Sequence, residues 1–273
     1  MPVSVLLCEG GTNSPDVRVL SKVLAGLCEV RPFGGKYGMG DRILARRESI
    51  GQNVVYGLLD GDFCEWQPLQ DSPKPWLIQN NKVQLGWRWQ RKEIENYLID
   101  PAVVERVFGN IPGGYELALA TAATKIASYQ AARIALTLIR PRFTPLSNSF
   151  GKAHGRYKHV MPDDLARDSC LQEAEKLVRE WNVERAIDDV ALQAAFANAE
   201  TECSPAGGRL KDFITSFAGK DLLWSMDKDL KTLGLDSSTV FLERVLTKLG
   251  ESTEVWEWLP EWKALRQVVA TMP

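Results

Sequence analysis

Histidine is nearly absent from this 273-residue chain, which has only His154 and His159. A histidine-built zinc site or catalytic triad is therefore poorly supplied. The five cysteines, Cys8, Cys28, Cys64, Cys170 and Cys203, are scattered and form no Cys-x-x-Cys pair. That is the pattern of reduced, mostly packed thiols, not of a zinc or disulfide framework. No apolar run approaches the ~18 residues that a membrane helix needs. The start, Met1-Pro2-Val3-Ser4, carries no basic leader and runs straight into a strand-like segment, so a cytoplasmic protein is expected. The glycine-rich stretch from Gly34 to Gly40 lacks the Walker spacing and reads as a connector, with Lys36 in reach of a phosphate. Acids are missing altogether between Leu117 and Pro162, where Lys125, Arg133, Arg140, Arg142, Lys152, Arg156 and Lys158 all fall.

What the chain does have is enough apolar content, 45% against 25% charged, to bury one large or two modest cores. Its first sixty residues alternate apolar strand-like runs with amphipathic segments. Strands are expected near Val3–Cys8, Cys28–Phe33 and Val54–Leu59, with helices near Pro15–Leu27 and Asp41–Ile50. This β-α-β-α-β rhythm argues for a parallel sheet with right-handed crossovers. Trp76–Gln79 and Lys82–Trp89, separated by Asn80-Asn81, read as a hairpin or a final strand.

Two of these strands deliver carboxylates at their C-terminal ends. The first leads into Glu9-Gly10-Gly11 and the third into Asp60-Gly61-Asp62. Open α/β sheets bind ligands beyond the carboxyl ends of their strands. Three acids there, with glycines permitting close backbone approach, point to a hard divalent cation such as Mg²⁺. The plainer alternative is that the aspartates cap the next segment while Glu9 sits on a solvated turn.

This arrangement resembles the Toprim domain of topoisomerases, bacterial primases and nucleases of the overcoming-lysogenization-defect (OLD) type. Its signature is a Glu-Gly after the first strand and an Asp-x-Asp after a later one, matched by Glu9-Gly10 and Asp60-Gly61-Asp62. The family's acid at the following helix start would be Asp16, but Gly11–Pro15 makes the intervening turn longer than usual. Asp16 either belongs to a longer turn or is a helix N-terminal charge, and it stays outside the expected site. Arg91-Lys92-Glu93-Ile94-Glu95-Asn96-Tyr97-Leu98 looks like the signature of a bacterial Toprim-like family that includes the effector nuclease of the PARIS anti-phage system. Gly219-Lys220-Asp221-Leu222-Leu223 resembles a further segment of the same family.

The resemblance implies a Toprim-like domain over residues 1–110 and a mostly helical domain over 111–273 for substrate contacts, partner contacts or dimerisation. It implies Mg²⁺ held by Glu9, Asp60 and Asp62, with Mn²⁺ as a substitute. Glu95 would complete the cluster if a strand led into it; by spacing alone it is equally a first-turn helix acid. Lys220 would assist catalysis. The implied activity is a metal-dependent endonuclease on transfer RNA or DNA, the effector of an anti-phage system controlled by a partner ATPase of the ABC/OLD type. Docking to that ATPase or to a second copy would use exposed apolar helix faces. A catalytically silent module of the same fold, binding nucleic acid or a partner protein, is the alternative.

Beyond residue 110 the composition turns helical. Helices are expected over Tyr115–Ile139, Leu165–Trp181, Leu210–Phe217, Val240–Leu249 and Val255–Val269. The acid-free band carries Phe143, Phe150 and Tyr157, and Lys152, Arg156 and Lys158 are candidate nucleic-acid contacts. Residues 163–200 reverse the balance, with ten acids against four bases, so the basic band equally suits pairing with that segment.

Overall fold

The structure is a computed structural model and describes residues 3–35, 38–50, 54–62, 74–139, 149–154, 159–185 and 189–272. Two compact units are present. The first comprises the described residues of 1–62, 69–111 and 242–273, and the second those of 112–241.

Unit 1 is built on a five-stranded sheet. Its elements run β1 (Val5–Glu9), α1 (Pro15–Val23), β2 (Glu29–Gly34), α2 (Met39–Ile50), β3 (Val55–Leu59), β4 (Trp76–Asn80) and β5 (Val83–Arg88). The strand order is β2-β1-β3-β5-β4, parallel except for the edge strand β4. The chain leaves β1 in one direction and returns on its other side to β3. That reversal makes the β1/β3 boundary the topological switch point. The α/β class and the mainly parallel sheet expected from the sequence are both present, and so is the hairpin. Its tight turn places Asn81 and Lys82 in the left-handed region, at φ 47° and 67°.

Alternation along β1 splits its side chains between the two faces of the sheet. Leu7 packs with Met39 and Ile43 of α2, together with Val54, Val55 and Leu85. Arg47 fastens α2 to the strands from within. It is buried, donates from Nε to the Val55 carbonyl and from an Nη to that of Gln84, both at 2.8 Å, and lies 4.4 Å over the Tyr56 ring. Helix α1 starts where Ser14 accepts the Val17 N–H at 3.4 Å and Pro15 occupies the first turn.

After β5 come α3 (Glu95–Leu98) and α4 (Pro101–Phe108). Asp100 caps α4 by accepting the Ala102 N–H at 2.8 Å, ahead of a first-turn proline. The last segment of unit 1 holds a 3-10 turn at Val255–Glu257 and a terminal helix. Sequence periodicity expects a single helix there, and Pro260 sets the break, because it lacks an amide hydrogen and favours a helix start.

Unit 2 begins with α5 (Tyr115–Ile139), whose bounds agree with the alanine-rich stretch. A short hairpin of β6 (Lys152–His154) and β7 (His159–Met161) follows, then α6 (Arg167–Arg185), α7 (Asp189–Cys203), α8 (Gly208–Lys211) and α9 (Phe213–Ser216). The helix expected over Leu210–Phe217 is thus two single turns. The chain continues through α10 (Gly219–Ser225), α11 (Asp227–Thr232) and α12 (Ser238–Glu251) to α13 (Pro260–Thr271), the terminal helix of unit 1. Among the described residues no helix is long and apolar enough to cross a membrane. Cys8, Cys170 and Cys203 are buried free thiols and Cys28 is half-buried; Cys64 lies outside the described residues.

The interior of unit 2 is pinned by one charge. Asp221 is fully buried and accepts hydrogen bonds from Gln130 Nε2 at 2.5 Å and from an Arg133 Nη. Gln130 in turn accepts the Ala218 N–H at 3.1 Å, which ties the start of α10 to α5. Removing one partner of a buried ion pair strands the other in low dielectric, at a cost of roughly 3–5 kcal/mol. Asp221→Ala is accordingly expected to lower unfolding stability by about 3 kcal/mol, read as a reduced urea midpoint with an unchanged slope.

Candidate functional site

The carboxyl edge at the switch point is where the sheet gathers acidic side chains. Glu9 is the last residue of β1, and its Oε1 accepts the Asp60 N–H at 3.2 Å. Asp60 follows directly on β3, so one carboxylate is held against the backbone carrying the next. Glu9, Asp16, Asp60 and Asp62 are all half-buried.

Asp16 joins this edge. Gly10 turns the chain at φ 86°, and a Cβ there would meet Ser14 Oγ at 2.5 Å. That close turn returns α1 to the end of β1, and an Asp16 carboxylate oxygen lies 3.5 Å from the same Cβ position. The Cys8 thiol registers the assembly. Burial pushes its pKa far up, and Asp16, Asp60 and Glu9 push it further in that order. Three carboxylates thus raise the pKa of one buried thiol, which faces the Arg31 carbonyl of β2. The longer Gly11–Pro15 turn does not carry Asp16 away from the others.

The Asp60-Gly61-Asp62 turn is fixed by the segment after β5. The Trp89 N–H donates to the Leu59 carbonyl at 2.9 Å, Gly61 N–H to Arg91 at 3.2 Å and Asp62 N–H to Lys92 at 3.1 Å. The parallel β3–β5 pairing therefore extends beyond the assigned strands. Glycine at 61 is required by proximity, since a Cβ would stand 2.4 Å from the Arg91 carbonyl oxygen. Asp62 takes the left-handed conformation at φ 51°.

The Arg91–Asp100 signature spends most of its residues on structure. Arg91 pairs with Asp100 at 2.6 Å, donates to the Asn96 carbonyl at 3.0 Å and lies 4.8 Å over the Tyr97 ring. Asn96 Oδ1 accepts the Glu93 N–H at 2.9 Å. Trp89 and Trp262 flank Tyr97, with ring centroids 5.0 and 6.1 Å away. The strand leading into Glu95 is not formed: β5 ends at Arg88, and Glu95 opens α3 with a buried side chain. The intervening backbone is spent on the ladder that holds residues 59–62.

Other candidates lie apart in sequence or outside the described residues. Lys220 belongs to unit 2, where it is exposed in the first turn of α10. Lys152 is exposed and ion-paired with Asp163 at 2.5 Å. Lys36, Arg156 and Lys158 lie outside the described residues.

Glu261 is the residue that the sequence did not single out. It sits in the first turn of α13, is 4% exposed, and accepts the Gln90 N–H at 2.8 Å and the Tyr97 hydroxyl at 2.6 Å. Burial raises its carboxyl pKa, against the lowering pull of Tyr97, Gln90 and Arg91. Burial, with the Glu261 charge second, raises the Tyr97 hydroxyl far above its ordinary value, so Tyr97 stays a donor. The only sequence signal was an acid one residue after a helix-starting proline.

Among the described residues, no three histidine, cysteine, aspartate or glutamate side chains converge closely enough to hold a metal ion between them. By donor type Glu9, Asp16, Asp60 and Asp62 fit a hard cation, whose charge would offset the field felt at Cys8. No protein-family model matches the chain, and no curated protein matches it.

Gly61→Ala forces a methyl group against the Arg91 carbonyl, and overpacking of this kind costs about 1–3 kcal/mol. The variant is expected to melt several degrees below wild type, as measured by circular dichroism.

Proposed function

We propose that the chain is a Mg²⁺-dependent nuclease with a Toprim-like domain in unit 1. The observation that supports the reading is the hydrogen bond from the Asp60 N–H to Glu9 Oε1 at the β1/β3 switch point, which holds the two acid-bearing strand ends together. Glu9, Asp60 and Asp62 are the ligands in this reading, with Asp16 as a further oxygen donor in reach and Glu95 as a buried outer acid. Bound there, a divalent cation supplies an activated water and charge compensation for phosphodiester hydrolysis.

The chain's own groups divide the remaining work. The Asp60 N–H holds the Glu9 carboxylate in one orientation, while the ladder to residues 91 and 92 holds the Asp60–Asp62 turn. In the alternative role of general base, Glu9, held in this way, is placed to take a proton from an attacking water. The resemblance gives Lys220 an assisting role in catalysis, and Lys36, with Lys152, Arg156 and Lys158 of the basic band, would bind the polyanion. Transfer RNA and DNA both satisfy this chemistry. The resemblance of the Arg91–Leu98 and Gly219–Leu223 segments extends the proposal to an anti-phage effector held by a partner ATPase.

A second reading is a catalytically silent module of the same fold, favoured by the lack of a closed three-ligand group among the described residues. The two separate on one experiment. Wild type and Asp60→Ala/Asp62→Ala are incubated with total RNA and with mixed DNA in Mg²⁺, Mn²⁺ or EDTA. The nuclease reading expects metal-dependent cleavage that the double variant loses by at least a hundredfold, the scale of lost metal assistance. Nucleic-acid binding that survives the double substitution, with no cleavage and no Mn²⁺ heat in calorimetry, establishes the silent module.

A further inference from the structure

The N–H and C=O groups of the Gln90–Lys92 backbone are used for different purposes. Glu261 Oε1 accepts the Gln90 N–H at 2.8 Å; the Tyr97 hydroxyl accepts the Arg91 N–H at 3.3 Å and donates to Glu261 Oε2 at 2.6 Å. The Arg91 and Lys92 carbonyls accept the Gly61 and Asp62 N–H groups. A single buried carboxylate therefore holds the 89–90 peptide directly and the 90–91 peptide through the Tyr97 hydroxyl, and the next two peptides along the chain carry the acidic turn. We infer that Glu261, through Gln90, Tyr97 and the Arg91–Lys92 carbonyls, is a positioning residue that sets the Asp60–Asp62 turn, so that the terminal helix α13 controls the geometry of the site.

Chemistry and packing both favour this assignment over a role in packing alone. A glutamate with 4% exposure carries a desolvation cost that an apolar side chain would avoid. That cost is offset by charge-assisted bonds, which are shorter and about twice as strong as neutral ones. The flanking aromatics, Trp89, Tyr97 and Trp262, enclose the contact and exclude water from it. The two ends of the chain of contacts are far apart in sequence, so closing it requires α13 to be docked. For its functional consequence the inference rests on the proposed metal site; for its geometry it does not.

Native-state hydrogen exchange followed by NMR tests it on the full chain. In Glu261→Ala the Gly61 and Asp62 amides are expected to exchange about tenfold faster, the factor for one lost charge-assisted bond. The Leu6 and Leu7 amides of β1 should be unchanged, whereas a general loss of stability would move all four together. Glu261→Gln keeps an acceptor for the Gln90 N–H and is expected to restore protection to within about threefold. Tyr97→Phe removes only the hydroxyl bridge and should reproduce the local effect, which decides the question if Glu261→Ala fails to fold. Unchanged exchange at Gly61 and Asp62, or a uniform rise across the four amides, overturns the inference. Mn²⁺ titration of the same proteins separates the two claims. Metal binding that weakens with faster exchange supports both, while no binding by wild type alongside the local effect removes the metal site and leaves the positioning intact.

Discussion

The site hangs on a short ladder of main-chain hydrogen bonds. Residues 59–62 and 89–92 continue the β3–β5 pairing past the assigned strand ends, through Trp89 to Leu59, Gly61 to Arg91 and Asp62 to Lys92. Backbone bonds of this kind each contribute only about 1 kcal/mol net. Their importance lies in geometry: they fix where the two aspartates leave the sheet, and Gly61 is the residue that allows the two backbones to approach.

The Arg91–Asp100 segment acquires a physical meaning in that light. Arg91, Asn96, Tyr97 and Asp100 bind one another and the local backbone, so the recognisable motif is mainly a clamp on the ladder. Asp221 plays a comparable part inside unit 2, where it joins α5 to α10 and leaves its neighbour Lys220 at the surface. In both segments the motif pairs an inward anchor with a chemically useful neighbour. The anchors are visible in the contacts, whereas the activity of the neighbours belongs to the proposal.

Much of the fold was legible because periodicity and turn chemistry are local. The three parallel strands, the Asn80–Lys82 hairpin turn and the Tyr115–Ile139 helix follow from apolar spacing and from residues suited to left-handed turns. The β6–β7 hairpin escaped notice because three-residue strands carry no period. The Leu210–Phe217 pattern read as one helix because its spacing is helical, although the structure interrupts it at Asp212. The place of Glu9, Asp60 and Asp62 at the carboxyl edge of the sheet was legible from the apolar strands before them. Asp16 was set aside on loop length, yet a glycine at φ 86° lets the longer turn fold back. Glu95 stood open between a strand-end acid and a first-turn helix acid, and it opens α3, since nothing local shows that residues 89–94 are committed to the ladder. Glu261 was invisible because its partners lie in a distant part of the chain, and its meaning exists only once α13 has docked.

The central claim is that the acids at the β1/β3 boundary hold a divalent cation. Crystals soaked in Mn²⁺ and measured at its absorption edge test it most directly. The account predicts an anomalous peak at the carboxyl edge, about 2.1–2.3 Å from oxygens of Glu9 and Asp60. A peak confined to other sites, or none at a Mn²⁺ concentration that saturates exposed carboxylates, would contradict it.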